Sequence, residues 1–184
     1  MLKYHLRLPC SRSSWLCACV LAPALLTACG GGGGDDGTVQ PSSTSSGSAK
    51  YAGDWVSRAC IDNESSSSRT YMTVTVLSPT SFRTDWVTTV YASRDCSGAG
   101  TPSALDKGSD VSVIDGTTQV DGLTADKIRY STTGTVTASS PKALYYSDGK
   151  VIRQSPSSGP IDTAGYPTTL DASPWAIFDK VDAG

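Results

Sequence analysis

The sequence predicts an all-β fold, an antiparallel meander of about eight strands that forms a small barrel, with a β-sandwich as the alternative. Polar and apolar residues alternate with a period of two through residues 69–78 and 81–93, which is typical of half-buried antiparallel strands. No long segment sustains a helical period. A barrel is preferred because a meander joined by hairpins can close on itself and leave no free strand edge.

This alternation places the individual strands. Met72 and Val74 share one face of the first segment, and Phe82 and Trp86 share one face of the second. Residues 101–110 are predicted to hold one short helical turn. Further candidate strands are residues 54–61, 110–115, 117–121, 126–132, 143–147, 150–154 and 175–181.

Tight turns are predicted where Asp-Gly pairs separate these segments, because glycine supplies the positive φ that two-residue hairpins need. The segment Ser-Pro-Thr at residues 78–80 supplies another turn. The pairs are Asp115-Gly116, Asp121-Gly122 and Asp148-Gly149, of which the last is the clearest hairpin signal.

The N-terminal segment is typical of a secretory signal peptide that covers residues 1–28. Residues 1–14 carry three basic residues and no acidic one, and residues 15–26 are uncharged and apolar. A membrane-spanning helix needs about 20 apolar residues, and Pro23 lies within this shorter run. We therefore expect an exported protein.

The segment Leu26-Thr27-Ala28-Cys29 resembles the lipobox of bacterial lipoproteins. The resemblance implies cleavage after Ala28, a diacylglyceryl group on Cys29 and acylation of the new amino terminus. Several acyl chains give firm anchoring where one chain gives only marginal binding. Gly30 follows the cysteine, where an aspartate would favour the inner membrane in this family. The resemblance therefore implies a lipid-anchored protein of the bacterial outer membrane, with its domain in the periplasm or on the cell surface.

Residues 29–49 are interpreted as the lipidated cysteine and a Gly/Ser-rich flexible tether, and residues 50–184 as a single β-barrel domain. Gly32, Gly34 and Gly37 match the pattern G-x-G-x-x-G. A dinucleotide loop needs a strand before this pattern and a helix after it, and neither is predicted here. The tether has an expected mean reach of about 25 Å.

Charge and composition exclude several functions for the exported part. Without residues 1–28 it has 12 basic and 17 acidic residues, a net charge of −5, which argues against nucleic acid as a partner. The single histidine, His5, leaves with the signal, so histidine-dependent nucleophilic catalysis and the commonest zinc ligand are lost. We expect no enzyme activity, no catalytic residue, no metal and no other cofactor.

Two cysteines, Cys60 and Cys96, remain in the predicted domain. In an oxidising compartment the first interpretation of such a pair is a structural disulfide. On the chain-entropy model it would contribute about 3 to 4 kcal/mol to stability. A redox-active pair is the alternative, and the C-x-x-C spacing that favours it is missing.

A short motif at the start of the domain resembles one in the lipocalins and other calycins. Gly53 and Trp55 match their Gly-x-Trp motif, whose tryptophan plugs the closed end of an eight-stranded barrel from the first strand. In lipocalins an arginine near the last strand stacks on that tryptophan. It has no clear counterpart here: the last predicted strand offers Lys180, and Arg153 lies one strand earlier.

A second resemblance covers more of the chain and is to a group of small exported bacterial lipoproteins. It rests on the spacing of Trp55 and Cys60, on Y-x₄-C-x-G at residues 91–98, and on GLTADK and GYPTTLD at residues 122–127 and 165–171. The resemblance implies the barrel and the disulfide, and it implies no particular activity.

Aromatic side chains are the candidate ligand-binding residues, because such side chains commonly line apolar pockets. The alternative is that they fill the interior of the barrel. The selected residues are Trp55, Tyr71, Trp86 and Tyr91, with Tyr145, Tyr146 and Trp175 as further aromatics. Asp162 and Asp171 could hold Ca²⁺ with nearby carbonyls, but a solvated loop is favoured because Ca²⁺ loops have denser oxygen spacing.

Together these observations predict a lipid-anchored envelope protein that acts as a non-catalytic binding or interaction module for a small apolar ligand. The alternative is an envelope-structural or hydrolase-inhibitor-like lipoprotein that recognises another protein. The expected partners are the membrane, through the lipid anchor, and either a small apolar ligand or an envelope protein.

Overall fold

The computed structural model describes residues 47–182, and these residues form an all-β structure. The signal peptide, Cys29 and most of the predicted tether lie outside the described residues. Within the described part the helices are two short 3-10 turns, Gly47–Tyr51 and Pro174–Ala176. The strands are β1 (Gly53–Ser57), β2 (Ile61–Asp62), β3 (Ser67–Ser78), β4 (Ser81–Tyr91), β5 (Gly100–Val120), β6 (Leu123–Ser131), β7 (Lys142–Ser147), β8 (Val151–Gln154) and β9 (Ile177–Lys180).

The predicted antiparallel meander is confirmed, and its hydrogen bonding closes into a ring. Strands β3 to β9 pair in chain order, and β1 pairs with both β9 and β3. Trp55 on β1 is thereby opposite Lys180 on one side and Met72 on the other. The two-residue strand β2 pairs with β3 beside this ring.

Two predictions about turns differ from the structure. Asp115-Gly116 makes no hairpin: it lies inside β5, at a register shift between Ile114 and Gly116, so residues 110–115 and 117–121 belong to one long strand. Residues 101–110 lie within the same strand rather than in a helix, but residues 103–106 have no partner on β4 and form a turn that protrudes from the strand. Cross-strand pairing with β4 and β6 overrides the weak local signals there.

The other predicted turns are confirmed. Residues 78–80 connect β3 to β4, and residues 148–150 connect β7 to β8. Asp121 and Gly122 connect β5 to β6 with φ values of 52° and 75°. Positive φ at both central residues is the requirement of a type I′ hairpin.

The connections alternate between the two ends of the ring, as an antiparallel meander requires. The tight turns lie at one end, which we call the closed end. The longer connections, residues 58–66, 92–99, 132–141 and 155–176, lie at the other end, which we call the mouth.

The first 3-10 turn packs at the closed end. Ser48 is fully buried, and its backbone N–H donates to the Pro79 carbonyl at 2.9 Å. At the end of this turn the Ser147 hydroxyl donates a hydrogen bond to the backbone carbonyl of Lys50. Residues 47–49, which the sequence analysis assigns to the tether, are therefore packed against the domain.

The interior of the ring is filled from the closed end by aromatic side chains. Tyr51 and Trp55 are both 0% exposed, and the Trp55 indole N–H donates to the Tyr51 carbonyl at 2.8 Å. The Tyr51 and Phe82 rings stack with centroids 4.9 Å apart. Burial on this scale contributes about 2 kcal/mol or more for each large side chain, so this aromatic group is a main source of the stability.

A buried charge pair ties the first 3-10 turn to β6. The Tyr51 hydroxyl donates to the Asp126 carboxylate at 2.7 Å, and the Lys50 Nζ lies 3.0 Å from the same carboxylate oxygen. Asp126 is only 2% exposed. A buried carboxylate is tolerated when a cation and hydrogen-bond donors compensate it, and Lys50 and Tyr51 supply both.

A second apolar cluster lies outside the ring, where residues 155–173 cover β6 and β7. Its buried members are Val120, Ala125, Leu144, Tyr166 and Leu170. The side chains of Leu144 and Tyr145 point to opposite faces of β7, as neighbours on a strand do. The connection from β8 to β9 is therefore packed down as part of the domain.

The predicted disulfide is present. Cys60, after β1, is bonded to Cys96, in the connection from β4 to β5, with their Cα atoms 5.9 Å apart. It joins two of the connections at the mouth. No helix within the described residues is long and apolar enough to cross a membrane.

Candidate functional site

A cavity of about 220 Å³ lies inside the ring, between the aromatic core and the mouth. Its walls come from six strands, each of which contributes side chains from its inner face. The lining residues are Thr70, Met72, Thr84, Trp86, Asp110, Tyr145, Gln154 and Phe178. The lining combines apolar and aromatic side chains with a few polar ones, which is the usual composition of a small-molecule site.

Trp86 fits inside the ring because the residue opposite it is a glycine. Trp86 on β4 pairs with Gly108 on β5. A Cβ atom at Gly108 would lie 2.7 Å from the Cζ2 atom of the indole. This distance is too short for two non-bonded carbon atoms, so any larger residue at position 108 would displace the Trp86 ring. The glycine therefore fixes where the Trp86 ring lies on the cavity wall.

Asp110 places a carboxylate on the same wall. It lies opposite Thr84, two residues beyond the Trp86–Gly108 pair, so all these positions face inward. Partial burial raises the pKa of Asp110, and a hydrogen bond from the Trp86 side chain partly opposes the rise. The six ion pairs of the described chain use other carboxylates, so Asp110 is left without a partner cation there.

Tyr145 and Gln154 line both this cavity and a second one nearer the mouth. The second cavity has a volume of about 330 Å³ and lies under residues 155–161, with Tyr130 and Lys142 on its walls. Burial, followed by the charge of Asp110, raises the pKa of Tyr145. Its hydroxyl therefore stays protonated at neutral pH and can donate a hydrogen bond.

The connection that covers the second cavity is held by Tyr166. The Tyr166 hydroxyl donates to the Asp115 carboxylate, which also receives two hydrogen bonds of 2.6 Å from Arg129. The Nζ atoms of Lys127 and Lys142 lie 4.9 and 5.0 Å from the centroid of the tyrosine ring. Burial and the bond to Asp115 raise the pKa of Tyr166 to about 12, so this anchor persists through the physiological range.

The structure separates the four aromatics selected from the sequence. Trp86 lines the inner cavity. Trp55 is fully buried in the core. Tyr71 and Tyr91 lie on the outer face of β3 and β4, with their hydroxyl oxygens 2.6 Å apart. Tyr91 packs there over Gly100, where a Cβ atom would lie 2.7 Å from the tyrosine ring.

The two aspartates considered for Ca²⁺ accept hydrogen bonds from residues of the connection from β8 to β9, in which they lie. Asp162 accepts hydrogen bonds from the backbone N–H groups of Ala164 and Tyr166 and pairs with Lys127 at 2.8 Å. Asp171 accepts from Ser173. Within residues 47–182 no three metal-ligating side chains come together.

Among the lining residues, the sequence-based candidates include only Trp86 and Tyr145, and the polar residues that matter most among those missed are Asp110 and Gln154. Asp110 stands at the boundary between the predicted helical turn, residues 101–110, and a predicted strand, residues 110–115. Its phase relative to Ser112 and Ile114 is the signal that could have shown an inward carboxylate. Gln154 ends a short strand whose inner face the sequence pattern leaves undefined. Pairing across the ring decides both positions.

No protein-family model matches this chain, and neither a curated protein nor a solved structure is similar enough to be matched to it.

Proposed function

We propose that the protein is a non-catalytic, lipid-anchored envelope protein that binds a small molecule in the inner cavity of its ring. The observation that carries the proposal is the cavity of about 220 Å³ that the aromatic core leaves open towards the mouth. Cores are normally packed to high density, so an interior space lined by Trp86, Tyr145 and polar side chains is a feature that ligand binding would explain. The adjoining cavity under residues 155–161 gives a ligand room to extend.

The polar groups of the lining refine the ligand class. Thr70, Thr84 and Gln154 can form hydrogen bonds, while Met72 and Phe178 supply apolar surface. A purely apolar ligand would leave those polar groups without partners, which costs binding free energy. The ligand that fits this lining is therefore small and amphipathic, with an apolar part directed towards Phe178.

A blocking variant tests this proposal. Thr70 lines the cavity, whereas Thr73, three residues along the same strand, is exposed. Ligand-observed NMR of the full-length protein in detergent, with a panel of small neutral, cationic and anionic aromatic compounds, should detect binding. Thr70→Phe should abolish the binding, and Thr73→Phe should preserve it.

Two results would overturn the ligand-binding function. One is the absence of binding to wild type by any member of the panel at millimolar concentration. The other is binding that survives Thr70→Phe in a variant whose circular dichroism and thermal midpoint show that it is folded.

The anchor is tested separately. The lipobox resemblance at Cys29, together with the tether, supports attachment of the domain to the outer membrane from the periplasmic side or the cell surface. On fractionation of cells, the wild type should partition with the outer membrane and Cys29→Ser should appear in the soluble fraction. A Cys29→Ser protein that remained with the membrane would contradict the anchor.

A second function, recognition of another envelope protein, is favoured by an exposed side chain that protrudes from β5. Leu105 is 97% exposed at the tip of a turn in which the Ser103 hydroxyl accepts from the N–H groups of Leu105 and Asp106. A large apolar side chain held out by an ordered turn gives a partner protein apolar surface to bury. A photo-crosslinker at position 105 in cells should give one discrete adduct, and the same group at exposed Val76, at the closed end, should not. Diffuse or equal labelling at both positions would reject this second function.

A further inference from the structure

The charge on the cavity wall selects among ligands. Asp110 is the one ionisable acid or base among the lining residues apart from the Tyr145 phenol. No lysine or arginine lies on that wall, and the ion pairs of the described chain leave Asp110 unpaired. A partly buried carboxylate without a cation is costly, so a cationic ligand group would gain free energy where a neutral or anionic group would not.

The aromatic rings beside Asp110 favour the same class of ligand. Trp86 and Tyr145 lie on the cavity wall with it, and Tyr130 lies on the wall of the adjoining cavity. The face of an aromatic ring attracts ammonium groups, most strongly when they are removed from water. A carboxylate that shares a cavity wall with two aromatic rings thus has the chemistry of an ammonium-binding site.

Other cations fit the cavity less well. Ca²⁺ requires six to eight oxygen ligands, and the described residues contain no group of three metal-ligating side chains. The volume of about 220 Å³ lies below the range of about 300 to 1,000 Å³ typical of drug-sized ligands. The negative net charge of the exported chain also favours cations at long range.

We propose that the inner cavity binds a small organic ammonium ion, with its nitrogen beside the Asp110 carboxylate and the rings of Trp86 and Tyr145, and its apolar part towards Phe178. This inference rests on the proposed ligand-binding function and names the ligand class. Thr70, Thr84 and Gln154 provide oxygen atoms that can accept the remaining N–H groups of a primary amine.

Three probes of nearly equal shape test the charge preference. We suggest titration calorimetry of the full-length protein in detergent at pH 7.5 with 2-phenylethylammonium, neutral 2-phenylethanol and anionic 3-phenylpropionate. The ammonium ion should bind at least about tenfold more tightly than either of the others, as expected when a charge-assisted hydrogen bond and a cation–π contact are added. Its addition should also shift the indole N–H resonance of Trp86.

A matched pair of variants assigns the preference to Asp110. Asp110→Asn removes the charge from the cavity with little change in shape. It should weaken the binding of the ammonium ion at least about tenfold and leave the affinity for 2-phenylethanol unchanged. Asp85→Asn removes one negative charge from the outer face of the neighbouring strand, where Asp85 pairs with Arg83, and should change neither.

The outcomes separate the two proposals. If 2-phenylethanol binds as tightly as the ammonium ion, or if Asp110→Asn leaves the ammonium affinity unchanged, the ammonium inference is wrong while the ligand-binding function stands. The comparison of the three probes on wild type decides the question even if Asp110→Asn does not fold. If Thr70→Phe leaves the binding of every probe intact, the proposed function falls as well.

Discussion

Lys180 lies over the indole of Trp55, with its Nζ atom 5.4 Å from the centroid of the ring. The two residues are directly opposite each other on β9 and β1, and Trp55 is 0% exposed. Gly53, two residues before the tryptophan, has a φ of +115°. A Cβ atom there would lie 3.1 Å from the Lys180 Cε atom, so the glycine leaves the space that the lysine stem occupies. Lys180 thus takes the position over the tryptophan for which the sequence offered no clear arginine.

Gly53→Ala should therefore destabilise the domain by about 2 kcal/mol, because it combines an unfavourable φ with the contact to Lys180. Gly116→Ala is the matched control: it has a φ of +143° and no atom within 4 Å of an added Cβ, and it should cost about 1 kcal/mol. In a Lys180→Ala background the extra cost of Gly53→Ala should disappear. Urea unfolding of the variants measures these differences, and an undiminished cost in that background would reject the contact.

The Cys60–Cys96 disulfide should stabilise the domain by about 3 to 4 kcal/mol, because closing a long loop lowers the conformational entropy of the unfolded chain. The Cys60→Ala/Cys96→Ala double variant should lose this amount in urea unfolding under oxidising conditions. Wild type measured with a reductant should match the double variant. A wild type that keeps its full stability after verified reduction would show that the bond contributes nothing.

The Tyr51 hydroxyl should make stability fall at alkaline pH. Burial, followed by the charge of Asp126 and the hydrogen bond to it, raises the pKa of Tyr51. The unfolded chain loses this proton from about pH 10, whereas the folded chain retains it. Stability is therefore complete below pH 10 and declines above it, by up to about 1.4 kcal/mol per pH unit for this group.

Tyr51→Phe tests that assignment. At pH 8 it should cost about 1 to 2 kcal/mol through loss of the bond to Asp126. Between pH 10 and 11.5 its stability should fall less steeply than that of wild type in urea unfolding. Parallel curves for the two proteins would show that Tyr51 titrates normally.

The Tyr166 anchor should control the opening of residues 155–173 over the second cavity. Tyr166→Phe removes the bond to Asp115 and should increase hydrogen exchange in that segment by about fivefold, as expected for a loss of about 1 kcal/mol. Tyr71→Phe removes a hydroxyl that is hydrogen-bonded to Tyr91, on the face of β3, and should leave exchange of residues 155–173 unchanged. Equal exchange in Tyr166→Phe and wild type would show that the apolar cluster alone holds the segment.

The all-β class, the meander and most of the strands follow from local patterns. The alternation of Met72 and Val74 with threonines fixes which face of β3 is buried, and the Asp-Gly pair at residues 148–149 fixes one hairpin, because both signals act within a few residues. The disulfide was predicted from the expectation of an oxidising compartment and from there being just two cysteines in the predicted domain. These features need no knowledge of distant pairing.

The candidate site depends on such pairing. Nothing local to residue 110 says that Trp86 and Tyr145 will stand beside it, because those neighbours come from β4 and β7. Asp115-Gly116 also shows that distant pairing overrides local signals. This pair predicts a turn, but it forms a bulge because two long strands pair across it. The sequence by itself determined an all-β chain with one disulfide. Only closure of the ring decided which aromatics became core and which face the cavity, since residues far apart in sequence meet there.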